Sequence, residues 1–176
     1  IDLRVPRSYF IKGKGELLER ILNKEKEMIV KSSSGIRSEV VTNDIFVKWD
    51  RANLSHLPTL FQECVRGKDI RVHILDDNCW SVKVDEKDSI DYRYAKKKSP
   101  YTRIEINSHL ISFCKSLACI ENVRLVGIDL IDCGGYYQCL ECNPSPGWAG
   151  FHRHAKEEHF LVKALIEKLS PEASRA

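Results

Sequence analysis

The sequence predicts an α+β fold, and three observations carry the prediction. Two strand–turn–strand ribbons occupy 69–84 and 124–142, an amphipathic helix lies between them over 108–117, and a second helix closes the chain over 157–169. In the first ribbon, 69–75 and 79–84 flank the turn Asp76-Asp77-Asn78; in the second, 124–131 and 136–142 flank Asp132-Cys133-Gly134-Gly135. The intervening helix carries Leu110, Ile111, Phe113, Cys114 and Leu117 on its inward stripe. Upstream, the elements are shorter. A strand spans 4–11 with Pro6 near its start, a short helix spans 16–22, and Met28-Ile29-Val30 is a strand running into Lys31. A small-residue loop, Ser32-Ser33-Ser34-Gly35, precedes strands over 39–42 and 45–48. Thr59-Leu60-Phe61 leads into Gln62-Glu63-Cys64-Val65, which Gly67 ends, and the polar, basic stretch 87–102 reads as loop.

Composition narrows the functional classes. The 176 residues suffice for one domain or two small lobes, and 43% hydrophobic with 30% charged residues is ordinary for a soluble globular protein. With 28 basic against 25 acidic residues the net charge is +3, too balanced to argue for nucleic acid, though ATP or an acidic peptide would suit it. No apolar run approaches the roughly 20 residues of a membrane span. The chain opens Ile1-Asp2-Leu3-Arg4 without Met or signal peptide, so a cut boundary with an upstream domain is expected. Seven cysteines, an odd number, sit mostly in apolar stretches; buried reduced thiols and a cytoplasmic location are the expectation.

The most informative residues are Gly127-Ile128-Asp129-Leu130 and Leu140-Glu141-Cys142-Asn143-Pro144. Side chains two apart on a strand share a face, so Glu141 and Asn143 point one way while Leu140 and Cys142 point into the core. Asp129 joins Glu141 only if paired residue numbers sum to an even value, which requires an odd number of loop residues. Three oxygen-bearing side chains would then converge, and hard Mg2+ takes oxygen ligands, using one or two carboxylates with water and phosphate. The bland alternative is a solvated acidic edge. Against it stands the cost of placing an acid in an otherwise apolar strand without a partner or a metal.

On these residues the sequence resembles the ATP-grasp superfamily: Val126-Gly127-Ile128-Asp129-Leu130-Ile131 and Leu140-Glu141-Cys142-Asn143-Pro144-Ser145-Pro146-Gly147 look like its metal-binding signature. The resemblance is strongest to peptide-modifying members, the microviridin-type (graspetide) macrocycle-forming ligases and the ribosomal-protein glutamate ligase. It runs from about Val5 to Leu169, with the family's N-terminal domain absent. It implies two α+β lobes gripping ATP, a small lobe over 1–61 and a large lobe over 62–176. It also implies that Asp129, Glu141 and Asn143 hold one or two Mg2+ ions, with Mn2+ able to substitute.

Further residues take roles from the same resemblance. Lys31 is similar to the family lysine that meets the α- and β-phosphates, and the loop with Ser34 and Gly35 looks like the phosphate-covering segment. Gln62-Glu63-Cys64-Val65 looks like the hinge that reads adenine, through the Glu63 carbonyl, the Val65 N–H and the Gln62 side chain. Asp69 looks like the acceptor of the ribose hydroxyls. Arg71, on the strand face of Asp69, would meet the transferred phosphoryl group or the acyl phosphate. Lys83, with Cys79 and Ser81 on its face, is carried as a catalytic candidate for the same cleft. Asp91-Tyr92-Arg93 resembles the acid-x-arginine motif with which graspetide ligases grip an acidic substrate side chain. Phe151-His152-Arg153-His154 receives no role, and Trp148 is expected to pack.

The expected function is an ATP-dependent carboxylate–amine or carboxylate–hydroxyl ligase acting through an acyl phosphate on an acidic peptide, with release of ADP and phosphate. The rival from another class is a catalytically silent nucleotide-binding module, which would bind ATP without ADP formation. A zinc module built from His152, His154, His159, Cys139 and Cys142 is a third reading, weakened by the absence of paired CxxC spacing. Neither nucleic acid nor a membrane is an expected partner.

Overall fold

A computed structural model describes residues 2–12, 27–31, 38–40, 58–84, 101–148, 150–151 and 160–169. The chain divides into two compact units: Ile1–Arg4, Gly67–Glu86 and Ser99–Ala176 form one, and Val5–Arg66 with Lys87–Lys98 forms the other. The expected strand over 4–11 is two strands, β1 (Asp2–Arg4) and β2 (Ser8–Ile11), and they belong to different sheets. The break lies at Val5-Pro6-Arg7, where proline supplies no N–H to a ladder.

The larger unit is built on a six-stranded sheet. Its strands are β1, β6 (Lys68–Leu75), β7 (Asn78–Val84), β8 (Tyr101–Arg103), β9 (Leu125–Asp132) and β10 (Tyr136–Asn143), in the order β1-β10-β9-β6-β7-β8. Every pairing is antiparallel except β1 on β10. Strand β8 falls where the sequence reads as loop. It is a short edge strand of the polar triplet Tyr101-Thr102-Arg103, and apolar alternation gives no signal there.

One face of this sheet packs on helix α1 (Ser108–Ile120), which runs one turn beyond the expected end. Leu110, Cys114 and Ala118 of α1 meet Ile70, Val72 and Ile74 of β6 and Val126, Ile128 and Leu130 of β9, all buried. Both helix ends are closed by side-chain and backbone bonds. Asn107 caps the start, its Oδ1 accepting from the Leu110 N–H at 2.9 Å. At the other end Asn122 adopts φ 51°, and the N–H groups of Asn122 and Val123 donate to the carbonyls of Cys119 and Ala118, a Schellman closure. On the opposite face, helix α2 (Phe160–Leu169) buries Leu161 and Ala164 against Leu75, with Leu125, Trp148 and Leu165 around them. Trp148 therefore packs, as expected.

The smaller unit holds a four-stranded sheet of β2, β3 (Met28–Lys31), β4 (Ser38–Val40) and β5 (Thr59–Glu63), in the order β2-β5-β3-β4 and antiparallel throughout. Its described core includes Ile11, Met28, Ile29, Val30 and Phe61. No described helix is long and apolar enough to cross a membrane. The expected helix over 16–22, the 32–35 loop, the strand over 45–48 and residues 85–100 and 152–159 lie outside the described residues.

Candidate active site

The site is set by strand register. Residues directly opposite in neighbouring strands project from the same face of a sheet, with Cβ atoms roughly 5 Å apart. Arg71 of β6 stands opposite Asp129 of β9, and Asp129 stands opposite Glu141 of β10. A single row therefore crosses three strands as Arg71–Asp129–Glu141. The next row is His73–Gly127–Asn143, and the row on the other side is Asp69–Ile131–Gln138. All lie on the face away from α1.

The sequence makes an odd loop the condition for this convergence; the loop is even, and a bulge further along the hairpin supplies the shift instead. Next to the turn the pairs Tyr137↔Asp132, Gln138↔Ile131 and Cys139↔Leu130 sum to 269, an odd value. A β-bulge between Cys139 and Glu141 then inserts one residue, and from there Glu141↔Asp129, Cys142↔Ile128 and Asn143↔Gly127 sum to 270. Continued without the bulge, the turn's register would set Glu141 opposite Ile128 and aim it at the core. The same bulge corrects the inward assignment of Leu140: Cys139 and Cys142 pack on the α1 core, and Leu140 is not among the residues packed there.

Arg71 is the organising cation of this face. Its side chain is 6% exposed, and Nη1 lies 2.7 Å from Oδ1 of Asp129, itself 20% exposed. Nε points at Nε2 of His73 at 3.4 Å, and the guanidinium lies over the Phe151 ring, 5.5 Å from its centroid. Gly127 is required beneath it. A Cβ built there would collide with Nη2 of Arg71 and, at 2.5 Å, with Cβ of Pro146. His73 is fully buried, its ring 5.6 Å from Trp80 and 5.7 Å from Phe151, with Nε2 also 3.4 Å from the Gly147 carbonyl.

The donor set fits magnesium. Asp129 keeps a second carboxylate oxygen, Glu141 faces it directly, and Asn143 is on the next row of the same face. The Asn143 Oδ1 accepts from the Ser145 N–H at 2.8 Å and, as a carbonyl oxygen, retains a second lone pair. Among the described residues no group of three or more His, Cys, Asp or Glu could hold a metal ion. A cation here would draw on the two carboxylates, the amide oxygen and exogenous oxygens, the mode typical of Mg2+.

The other sequence-derived residues divide. Asp69 is buried and shares the face of Arg71. Lys83 does not: it stands opposite Ile70, with Ser81 opposite Val72 and Cys79 opposite Ile74, all on the α1 side. The positions of β7 on the Arg71 face are Trp80 and Val82, so the period-2 rule removes Lys83 from this cluster. In the smaller unit, Lys31 ends β3 opposite Leu60, and Gln62 lies opposite Ile29, so Lys31 and Gln62 share a face. Gln62 is 3% exposed; its Nε2 donates to Ser8 Oγ at 3.1 Å, and its buried Oε1 has no hydrogen-bond partner among the described residues. The Glu63 N–H donates to the Arg7 carbonyl and the Cys64 N–H to the Glu27 carbonyl, both at 2.9 Å. The Val65 N–H donates to no described residue. Ser34, Gly35, Asp91, Arg93, His152 and His154 lie outside the described residues.

All seven cysteines are free thiols. Cys139 and Cys142 pack on the α1 core with Cys114 and Cys79, on the face opposite Glu141, which separates them from the acidic pair. Burial pushes the Cys139 thiol up to about 11 and raises Cys114 further still. Sequence reasoning missed His73. The signal was present, since His73 is two residues from Arg71 on one strand and so shares its face.

The chain is thus a two-sheet α+β protein whose larger sheet carries an acidic pair, an amide and an arginine on one face. A family model described as an ATP-grasp domain matches residues 4–147, and the chain belongs to that family. The ATP-grasp ligase PsnB, solved with a phosphomimetic variant of its minimal precursor, Mg and ADP, is similar at 29% identity and TM-score 0.77; the match covers 94% of this chain and 54% of that one. A RiPP-associated ATP-grasp ligase from Chryseobacterium gregarium, solved with ADP and a leader and core peptide, gives 18% identity and TM-score 0.76, over 97% and 56% of the two chains. The D-alanine–D-alanine ligase of Bacillus anthracis, solved with ATP, gives 16% identity and TM-score 0.65, over 93% and 60%. These last two likenesses speak to the fold alone. The chain spans about half the length of the first structures it matches. No curated protein matches the sequence significantly.

Proposed function

We propose that this chain carries the ATP- and magnesium-handling core of a ligase that joins a carboxylate to an amine or a hydroxyl on a peptide substrate. The observation that carries the reading is the direct cross-strand pairing of Glu141 with Asp129, with Arg71 ion-paired to Asp129 in the same row. Family membership and the similarity to PsnB, solved with Mg, ADP and a precursor, support it. Two lobes are part of the proposal, the smaller following Val5–Arg66 with Lys87–Lys98 in place of the expected 1–61, because a boundary at 61/62 would cut β5 (Thr59–Glu63). A cytoplasmic setting, which the free thiols suit, is proposed as well.

In this reading a substrate carboxylate oxygen attacks the γ-phosphorus of ATP, the bond to the β-bridging oxygen breaks, and ADP leaves. The acyl phosphate then loses phosphate to an attacking amine or hydroxyl, which gives up its proton. Bound Mg2+ would neutralise phosphate charge beside Asp129, Glu141 and Asn143. Arg71 holds a fixed, nearly dry positive charge where phosphoryl charge builds, and no reorganisation is needed when the reaction occurs. Asp69 accepts ribose hydroxyls on the same face. Lys31 meets the α- and β-phosphates, with Ser34 and Gly35 covering them. The buried Gln62 Oε1 is a ready acceptor for an exocyclic amine, beside the Glu63 carbonyl and the Val65 N–H. Asp91 and Arg93 are retained as contacts to an acidic side chain. Lys83 is withdrawn from the catalytic set because its strand position faces α1.

Mass spectrometry of glutamate- and aspartate-rich peptides incubated with the chain, Mg2+ and ATP tests the proposal. Loss of water from the peptide, matched by ADP release, is the expected result. ATP binding without ADP release across the panel would instead identify a silent nucleotide-binding module.

A further inference from the structure

Arg71 is held by two of its three guanidinium corners. Nη1 meets Asp129 at 2.7 Å and Nε meets His73 Nε2 at 3.4 Å, while Nη2 sits above Gly127 and makes no hydrogen bond to a described residue. An ion pair to a single carboxylate oxygen fixes where a guanidinium nitrogen sits, but leaves the plane free to turn. The contact at Nε removes that freedom. We propose that His73 is a positioning residue for Arg71, its ring accepting a hydrogen bond from Arg71 Nε so that Nη2 is presented to the transferred phosphoryl group. The inference rests on the ligase reading of Arg71 given above.

The chemistry of the two side chains fixes the state of the ring. Arginine carries only donors and is always charged, so His73 Nε2 must be bare and its proton must sit on Nδ1. The Gly147 carbonyl, also 3.4 Å from Nε2, asks for the opposite tautomer. One nitrogen cannot do both. The bond from a charged donor is about twice as strong as a neutral one, which favours the guanidinium, although the proton then sits on the buried Nδ1, which makes no hydrogen bond to a described residue. His73 is fully buried, away from bulk solvent. Trp80 and Phe151 pack against the ring, the first tilted and the second edge-on. A leucine of similar size would fill the space and leave the Nε–H of Arg71, itself 5% exposed, without this acceptor.

Two measurements on the full chain test the proposal. The first is 15N NMR of the wild-type protein. The ring shifts should show Nδ1 protonated and Nε2 bare, with a coupling through the hydrogen bond to Arg71 Nε; a proton on Nε2 overturns the inference whatever the enzyme does. The second is ADP formation from Mg-ATP with a glutamate-rich peptide. His73→Leu should lower kcat about 100-fold, the order expected for a misaligned reacting group, while leaving ADP affinity unchanged. His73→Gln, whose Oε1 can replace Nε2 as acceptor, should recover most of kcat. In an Arg71→Ala background His73→Leu should add nothing. Equal kcat for wild type and His73→Leu, or additive losses in the double variant, would overturn the proposal. Absence of turnover in the wild type would count against the ligase reading instead, and the NMR result would still decide whether His73 holds Arg71.

Discussion

Arg71 and Asp129 stand directly opposite each other on adjacent strands, Nη1 to Oδ1 at 2.7 Å, with side-chain exposures of 6% and 20%. At such burial the cost of losing one partner exceeds the worth of the pair, because the remaining charge is left in a poor solvent. Asp129→Leu alone and Arg71→Met alone should each destabilise the chain by roughly 3 kcal/mol. The double variant, with apolar groups at both positions, should recover most of that stability while losing ADP formation. Urea unfolding of the three variants checks this; additive losses in the double variant would show that the two side chains are not coupled.

Gly127 separates packing from chemistry. The cradle beneath Arg71 leaves no room for a methyl group, and the guanidinium that would have to move is held by Asp129 and His73. Gly127→Ala should cost about 1–3 kcal/mol from overpacking and should lower the rate of ADP formation. A thermal melt with a kinetic assay checks both. Wild-type rates in a folded Gly127→Ala protein would mean that Arg71 has no fixed position.

The thiols give a pH dependence of known sign. An unfolded cysteine titrates near about 8.5, whereas burial holds Cys139 up to about 11 and Cys114 higher still. Between those values the unfolded chain loses protons that the folded chain keeps. Stability from these groups is therefore complete below about pH 8.5 and falls as pH rises toward 11. Denaturant midpoints should drop from pH 7.5 to pH 10, and Cys139→Ala should flatten the slope. At pH 8 a thiol reagent should modify exposed Cys119 well before Cys114 or Cys139.

The closures of α1 lie on the sheet face opposite Arg71 and Asp129 and are expected to act on stability alone. Asn107→Ala removes the acceptor for the Leu110 N–H and should cost about 1 kcal/mol. Asn122→Gly should be tolerated at φ 51°, whereas Asn122→Val, β-branched in the left-handed region, should be the more damaging. Thermal unfolding of the three variants checks the order.

Much of this was legible from side-chain alternation. Asp69 and Arg71 share a face because they are two apart on one strand, and the same rule aligned Glu141 with Asn143. Pairing between strands was less accessible. Whether Asp129 met Glu141 depended on a bulge at Cys139/Glu141, and nothing in Gln138-Cys139-Leu140 marks an extra residue. Lys83 was misplaced for the same reason, since its own alternation was right and its register against β6 could not be read. Strand β8 was hidden because an exposed edge strand needs no apolar pattern. His73 went unused because a histidine in an apolar run looks like core until its neighbour's guanidinium is located.

The most direct test uses calorimetric titration with the ATP analogue AMPPNP, with and without Mg2+, on wild type and Glu141→Gln. If Asp129 and Glu141 jointly seat the cation beside the triphosphate, wild-type affinity should rise sharply with Mg2+. In Glu141→Gln most of that gain should vanish, with an unchanged melting temperature in the absence of nucleotide. An equal Mg2+ dependence in the two proteins would contradict the account.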